Sequence, residues 1–406
     1  MIKMKKWLAL MLALALVVSC TPQGGNTTTP APTQDATTAT PTTPPPPPEP
    51  TPIEIPHQPY SPEGSEMRDI PSMELIKEIG AGWNLGNTFD APWGETSWTN
   101  PRTTYASIKA VADAGFDSVR VPVTWFNHIG GEPDYLISDE FLDRLEEVVG
   151  YVLSNDMYCI INTHHENWIF PDEEKADENE KQLVALWTQI SERFAEYNER
   201  LIFEGMNEPR LRGTSNEWNG GTFAAREIVN ELNKAFIQAV RDTGGRNSLR
   251  HLMLPSYAAS AEYSAMSHLQ AAFPPLDRDD KIIASIHAYT PYDFAHAAVG
   301  TSEWNADSDT GEIDLLFERL EELFLSRGIA VIIGETAALN RDNVEARAAW
   351  AKYYFGKGRE HGVPVFWWDN GIFVQNEQGN RQLFGILNRY TAEFTFPQIV
   401  DAIMDK

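Results

Sequence analysis

The sequence predicts a single (β/α)8 barrel with enlarged βα loops, and three observations carry that expectation. Eight short β-rich runs alternate with longer amphipathic ones from Glu66 onward. Several helical patterns close on a glycine just before the next strand, as at Gly115, Gly244, Gly328 and Gly362. No second shift of composition divides the stretch, and about 330 residues is an ordinary length for one such barrel. A doubly wound open sheet is the alternative. It calls for a glycine-rich phosphate loop after the first strand, where Gly80-Ala-Gly-Trp-Asn-Leu-Gly86 brings a tryptophan and an asparagine instead.

The strands are predicted at Gly80–Leu85, Ser118–Val123, Tyr158–Thr163, Leu201–Asn207, His251–Ser256, Ile282–His287, Ala330–Glu335 and Val365–Trp368. The clearest helix is Asp139–Ser154, where Phe141, Leu142, Leu145, Val148, Val149, Val152 and Leu153 recur on one face. The fourth strand ends in Asn207-Glu208-Pro209. Proline lacks a backbone N–H and disfavours helical dihedrals in the residue before it, so Glu208 is expected extended at the last rung of that strand.

Ahead of the barrel, Lys3, Lys5 and Lys6 precede an apolar run from Trp7 to Val18, the pattern of a secretory signal and too short to span a bilayer comfortably. The run closes on Leu16-Val-Val-Ser-Cys20, which resembles the lipobox of bacterial lipoproteins. Residues 1–20 are therefore expected to be a lipoprotein signal peptide with Cys20 the lipidation site. The protein is then exported and lipid-anchored to a bacterial membrane or cell surface. Residues 21–62 are rich in Thr and Pro and poor in apolar side chains, the composition of a disordered, partly extended tether. That leaves residues 63–406 for the barrel. Of the two cysteines, Cys159 stands in the apolar run Tyr158-Cys-Ile-Ile161, so with Cys20 lipidated no intrachain disulfide forms. The formal net charge of −26 argues against nucleic acid as a partner and suits a neutral substrate. Membrane contact is expected only through the lipid, and the chain is expected to be a monomer.

Barrel active sites gather at the C-terminal ends of the strands. The polar residues predicted there are Asn84, Arg120, His164, His165, Asn207, Glu208, His287, Tyr289, Glu335 and the segment Trp368-Asp369-Asn370. Buried strand ends seldom carry so many polar groups without a use, because each costs free energy unless paired. Glu208 and Glu335 each close an apolar run on a different strand. Paired carboxyls are what glycosidic bond cleavage requires, one to protonate the leaving oxygen and one to attack the anomeric carbon or activate water. A single glutamate at a strand end is more often structural; the pair with His, Tyr, Arg and Trp around it favours chemistry. Arg120 would keep Glu335 ionised, or would pair with Glu204, and both can hold at once. His287 and Tyr289, two residues apart, can face one side, although a satisfied core histidine is the plainer reading of His287 alone.

Trp83, Trp93, Trp98, Trp125, Trp168, Trp367 and Trp368 fall in predicted loops and strand ends, where indoles suit the apolar faces of sugar rings. Core packing explains any one of them equally well, and Trp93 and Trp98 are the best candidates for exposure. There is no Gly-x-Ser-x-Gly elbow, no His-Glu-x-x-His helix and no phosphate-cradling loop. His164-His165-Glu166 invites a metal reading, but consecutive strand residues point to opposite faces, and no metal or other cofactor is expected.

Gly82-Trp-Asn-Leu-Gly-Asn-Thr88, Val119-Arg-Val-Pro-Val-Thr-Trp125, Asn162-Thr-His-His-Glu166, Glu204-Gly-Met-Asn-Glu-Pro209, His287-Ala-Tyr289, Gly334-Glu335 and Trp367-Trp-Asp-Asn-Gly371 together resemble the motif series of glycoside hydrolase family 5. Within it they are most similar to bacterial endoglucanases and xyloglucanases. The resemblance implies a retaining endo-β-1,4-glucanase acting on cellulose-like or xyloglucan-like β-glucan, with Glu208 as general acid/base and Glu335 as nucleophile. It further implies that Asn207 binds the sugar 2-hydroxyl, that Arg120, His164, His287 and Tyr289 complete the shell, and that Trp368 stacks at the cleaved sugar. Asn84, His165, Trp93 and Trp98 join them as expected substrate-binding residues. Thr336-Ala337 departs from the Phe-Gly frequent in relatives. Other β-glycanase specificities, or a noncatalytic glycan-binding lipoprotein, are the alternatives.

Overall fold

The structure, a computed structural model, describes residues 50–374 and 382–405. Eight parallel strands close into a barrel in sequence order, with the last hydrogen-bonded to the first. They are β1 (Ala81–Leu85), β2 (Ser118–Val121), β3 (Tyr158–Asn162), β4 (Leu201–Glu204), β5 (Leu252–Ser260), β6 (Ile282–His287), β7 (Ala330–Thr336) and β8 (Val365–Asp369). A helix α1 (Ser72–Ile79) precedes them. The strands are then followed in turn by α2 (Tyr105–Ala114), α3 (Asp139–Leu153), α4 (Ala176–Arg193), α5 (Phe223–Asp242), α6 (Tyr263–Ala272), α7 (Tyr292–Ala295) with α8 (Gly311–Leu323), α9 (Val344–His361) and α10 (Pro397–Ile403). The expected eight-stranded barrel is thus present. Among the described residues no helix is long and apolar enough to cross a membrane.

The barrel interior has two layers that follow from strand alternation. Tyr158, Ile160, Ile202, Met253, Ile283, Ile332 and Phe366 form one apolar cluster with Leu75, Ile76 and Ile79 of α1, which closes that end. Two residues further along the same strands stand Asn162, Glu204, Ser285 and Trp368. The interior therefore turns from apolar to polar toward the strand C-termini, where the polar groups must find partners among themselves. The opposite faces of the strands, with Val119, Cys159, Phe203, Val331 and Trp367, pack against the surrounding helices.

Three expectations are corrected in detail. First, β4 ends at Glu204, so Glu208 is not on its last rung. The Asn207 N–H still reaches the Thr163 carbonyl at 2.8 Å, but the Pro209 carbonyl accepts from Ala258, beyond the regular pairing of β5. The backbone around Glu208 is therefore set by that irregular end of β5, where Ala258 and Ala259 take left-handed dihedrals. Second, Gly115, Gly328 and Gly362 close their helices in the left-handed conformation, whereas α5 is capped by Thr243, and Gly244 adopts a different conformation that leads into a short 3-10 turn. Third, the tether expected to run to residue 62 lies on the barrel from Ile53 on. The Ile53 N–H donates to the Tyr390 carbonyl, His57 stacks on Tyr105 at 4.7 Å between centroids, and Tyr60 packs on Tyr197. Those scattered apolar and aromatic groups supply the burial that the Thr/Pro run before them lacks. The signal peptide, Cys20 and the tether up to residue 49 lie outside the described residues.

Candidate active site

The polar upper layer is organised by Arg120 on β2, which is fully buried. Its Nε donates to Glu204 Oε2 at 2.7 Å, Nη1 to Glu335 Oε1 at 2.7 Å and to Asn84 Oδ1 at 3.1 Å, and Nη2 to Asn207 Oδ1 at 2.7 Å. Both readings of Arg120 therefore hold: it pairs with Glu204 and with Glu335. Glu204 is also satisfied by Ser285 Oγ at 2.5 Å and Asn162 Nδ2 at 2.9 Å, as a fully buried carboxylate needs. Asn84 has no accessible surface, and its amide donates to the Gly334 and Trp367 carbonyls. It braces β7, β8 and Arg120 from below rather than facing the cleft.

Glu335 reaches this layer through an irregularity. Ile332 faces the barrel interior, so strict alternation would send Gly334 inward and Glu335 outward. The register between β6 and β7 shifts at this point: Ile286 pairs with Ile333, and His287 with Glu335. Gly334 is the extra residue of a bulge, which turns Glu335 inward. A side chain at Gly334 would crowd His287, since a Cβ there lies 3.1 Å from its Nε2.

His287 stands between the two carboxyls. Its Nδ1 is 2.9 Å from Glu208 Oε1 and 3.7 Å from Glu335 Oε2, and its Nε2 is buried without a hydrogen-bond partner. One oxygen of Glu208 and one of Glu335 lie within 4.8 Å of each other. The Tyr289 hydroxyl donates to Glu335 Oε2 at 3.1 Å. Burial raises the Glu335 carboxyl above its ordinary value, and the His287 and Arg120 charges offset this only in part. Burial pushes Glu208 the same way, but the hydrogen bond and charge of His287, with Arg210 and His165, bring it down to about 2. Burial disfavours the His287 imidazolium, yet Glu335 and Glu208 outweigh it and raise its pKa. The three groups titrate as a unit, with the proton that joins them lying in the His287–Glu208 bond.

An aromatic wall adjoins this centre. The Trp368 indole is parallel to the His164 ring, 3° between planes and 5.7 Å between centroids. His164 contacts His165 edge-on at 4.4 Å, and His165 contacts Trp98 at 5.6 Å. The two histidines thus sit together, against the expectation that they point to opposite faces, because β3 has ended at Asn162 and alternation no longer applies. One ligand atom each of Asp90, His164 and His165 lies within 4.8 Å of the others. The Asp90 oxygens are already taken by the Asn87 and Thr88 N–H groups, and burial raises its carboxyl to about 7. Trp93 is 77% exposed on the β1–α2 loop and Trp98 is half-buried. Trp83, Trp125 and Trp367 are core residues, each donating its indole N–H inward, to Asp369, Asn162 and Phe384.

Two carboxyls with a histidine between them thus stand beside an indole at the C-terminal end of the barrel. Residues 84–373 match the profile of the cellulases, glycosyl hydrolase family 5. The chain belongs to glycosyl hydrolase family 5. It is a glycoside hydrolase, and its relatives are similar over most of the barrel. It is 45% identical over 343 residues to the cellulase/esterase CelE of Acetivibrio thermocellus, a match that spans 83% of this chain and 41% of that protein. It is 44% identical over 352 residues to endoglucanase A of Ruminococcus albus, covering 84% of this chain and 94% of the relative. Its fold superposes with a TM-score of 0.78 on a GH5-4 broad-specificity endoglucanase from Ruminococcus champanellensis with bound cellotriose. That pair shares 42% identity over 84% of this chain and 100% of the other.

Several residues of this family-5 site escaped the sequence reading. Arg210 binds the Glu208 carbonyl at 2.9 Å and its Oε2 at 3.4 Å, and its place directly after Glu208-Pro209 was the available signal. Glu166, weighed in the sequence only as part of a metal reading, is fully buried, accepts from the Trp125 N–H and Trp168 Nε1, and is raised to about 7 by burial. Asp90 carried no local pattern that marked it.

Proposed function

We propose that the protein is a retaining endo-β-1,4-glucanase that cleaves internal bonds of cellulose-like or xyloglucan-like polysaccharides by double displacement. The observation that carries this reading is the approach of Glu208 and Glu335 to within 4.8 Å. Retaining enzymes hold their carboxyls about 5–5.5 Å apart, whereas inverting ones need about 6.5–9.5 Å to admit a water between carboxylate and sugar.

In the first step the Glu335 carboxylate attacks the anomeric carbon. The bond to the leaving oxygen breaks as Glu208 protonates that oxygen, and a glycosyl ester on Glu335 remains. The free site holds this proton on the His287–Glu208 bond, so it reaches the leaving oxygen from His287 Nδ1 by way of Glu208. In the second step Glu208 takes a proton from water, the water oxygen bonds to the anomeric carbon, and Glu335 is released. Arg120 and Tyr289 stabilise Glu335 as it regains its charge. Asn207, its Oδ1 fixed by Arg120, has its amide N–H groups left for the sugar 2-hydroxyl. Trp368, with His164 behind it, offers the stacking surface for the sugar being cleaved, and Trp98 and Trp93 extend it.

The bound cellotriose and the broad specificity of the Ruminococcus champanellensis relative support a β-1,4-glucan substrate with tolerance for more than one polymer. Proton NMR of the first products from xyloglucan, carboxymethylcellulose, lichenan and glucomannan tests both points. Initial release of the β-anomer from one of the β-1,4-glucans is expected. The α-anomer would overturn the mechanism, and binding without new reducing ends would favour a glycan-binding protein. The reading includes export and lipidation at Cys20, supported by the Leu16–Cys20 pattern alone. Labelled palmitate should enter the wild-type protein in bacterial cells and not Cys20→Ser.

A further inference from the structure

The loop between β1 and α2 carries the outer end of the aromatic wall, yet little else holds it in place. Trp98 contacts His165 at 5.6 Å between centroids, His165 contacts His164, and the His164 ring lies parallel to Trp368. Through residues 93–99 the backbone hydrogen-bonds only within the loop, from the Gly94 N–H to the Ala91 carbonyl and from the Ser97 N–H to the Gly94 carbonyl. A cavity of about 570 Å³ opens behind it, lined by Gly94 and Glu95 of the loop and by Phe89, Phe141 and Arg144. Packing therefore does not fix the loop on that side. Thr99, next to Trp98, stands at a φ of 76°, which is costly for a β-branched residue and persists only where the surroundings impose it.

A single side chain supplies that constraint. Glu95 Oε2 accepts from Arg144 Nε and Glu95 Oε1 from Arg144 Nη2, both at 2.9 Å, and Oε1 also accepts from the Thr103 N–H at 2.6 Å. Arg144 Nη2 donates on to the Thr103 carbonyl at 2.7 Å, and Nη1 to Glu147. Both members of the pair are only 10% exposed. Arg144 belongs to α3, which is anchored in the core by Leu145, Val148 and Val149. A two-pronged pair sets direction as well as distance, and out of water it is little screened. Among the described residues from Trp93 to Thr99, Glu95 alone makes a side-chain hydrogen bond.

We propose that Glu95 and Arg144 are positioning residues for the cleft: their ion pair, rather than packing, sets where the loop holds Trp98 against His165. The proposal rests on the glucanase reading only for what the aromatic wall binds. Without the pair the loop is free to move over the cavity, Thr99 relaxes, and Trp98 leaves His165. Glucan then binds more weakly, while Glu208 and Glu335, held by other elements, keep their places.

Fluorine NMR of the full-length protein labelled with 5-fluorotryptophan reads the position of Trp98 without any substrate, its line being the one missing from Trp98→Phe. Glu95→Gln and Arg144→Gln should each shift or broaden that line and leave the lines of the core residues Trp187 and Trp350 in place. On cellohexaose each variant should raise KM about tenfold, the size of one aromatic contact, with kcat within about twofold of wild type. Added to Trp98→Ala, the same substitutions should change KM by less than about twofold, because the group they position is gone. An unmoved Trp98 line in both variants would overturn the proposal. So would displacement of the Trp187 and Trp350 lines along with it, or losses that simply add to those of Trp98→Ala, since either reduces the pair to a fold element. A wild-type protein that leaves cellohexaose uncut would overturn the glucanase reading instead, and the fluorine spectra would still decide the role of the pair.

Discussion

Arg120 Nη1 lies 2.7 Å from Glu335 Oε1, and the same guanidinium holds Glu204 at 2.7 Å, all three groups nearly or fully out of water. Removing the cation takes the ion pair from buried Glu204 and leaves Glu335 with His287 and the Tyr289 hydroxyl. Arg120→Met should therefore lose about 3–5 kcal/mol of stability, the scale for breaking a buried ion pair from one side. Urea unfolding followed by tryptophan fluorescence measures it. A loss below 1 kcal/mol would mean that Glu204 and Glu335 do not depend on Arg120.

The two carboxyls should respond differently to removal. Glu208→Ala should lower kcat/KM on glucan by about 10²- to 10⁴-fold, the usual worth of a general acid, and lower it far less on a dinitrophenyl cellobioside. Glu335→Ala should abolish turnover of both, with azide restoring the dinitrophenyl reaction through a glycosyl azide of inverted configuration. The reverse pattern would exchange the two roles.

The pH profile follows from the directions of the shifts. Glu335 must be ionised to attack, and its carboxyl is raised above the ordinary 4.5, so activity falls on the acid side through a pH higher than 4.5. The proton shared by His287 and Glu208 must be present, and His287 is raised above 6.5, so activity falls on the alkaline side through a pH higher than 6.5. A bell-shaped profile of kcat/KM between those limbs is expected. Full activity persisting well below pH 4.5 would contradict the buried setting of Glu335.

Tyr289→Phe removes the hydroxyl that donates to Glu335 at 3.1 Å. A hydrogen bond to a charged group contributes about 1.5–3 kcal/mol, which corresponds to a loss of roughly 10- to 100-fold in kcat/KM. Because that bond favours the ionised form, its loss should also move the acid limb to higher pH. A drop in rate with an unmoved limb would place the role of Tyr289 elsewhere.

Asp369 is buried and accepts from Trp83 Nε1 and the Gly371, Ile386 and Leu387 N–H groups, at 2.8 to 3.1 Å. Asp369→Ala would strand these donors next to Trp368. A loss of at least about 3 kcal/mol is expected, at roughly 1 kcal/mol or more for each unsatisfied group. Chemical unfolding checks it, and a nearly neutral variant would show that the surroundings of Trp368 repack freely.

Much of the barrel was legible because its signals are local. The alternation of β-rich and amphipathic runs placed all eight strands, since each run must match the period of its own element. Polar residues such as Arg120, Glu204 and His287 were legible for the same reason, since they interrupt apolar runs that would otherwise continue, whereas Ser285, which donates to Glu204, was not singled out. Glu335 is a case where the right residue was found while its direction was not. Alternation from Ile332 points it outward, and only the bulge at Gly334 turns it in. His164 and His165 were separated by the same alternation and came together because the strand had ended.

The sequence by itself determined the barrel, its family and the two glutamates, because these rest on residue type, spacing and backbone preference, which act within a few residues. Tertiary structure decided what those glutamates can do. The approach of Glu208 and Glu335 to within 4.8 Å and the placement of His287 between them each join segments whose proximity no local rule fixes. Hydrogen bonds and charges act over a few ångströms of space, and the closing of eight strands into one barrel is what brings such distances about.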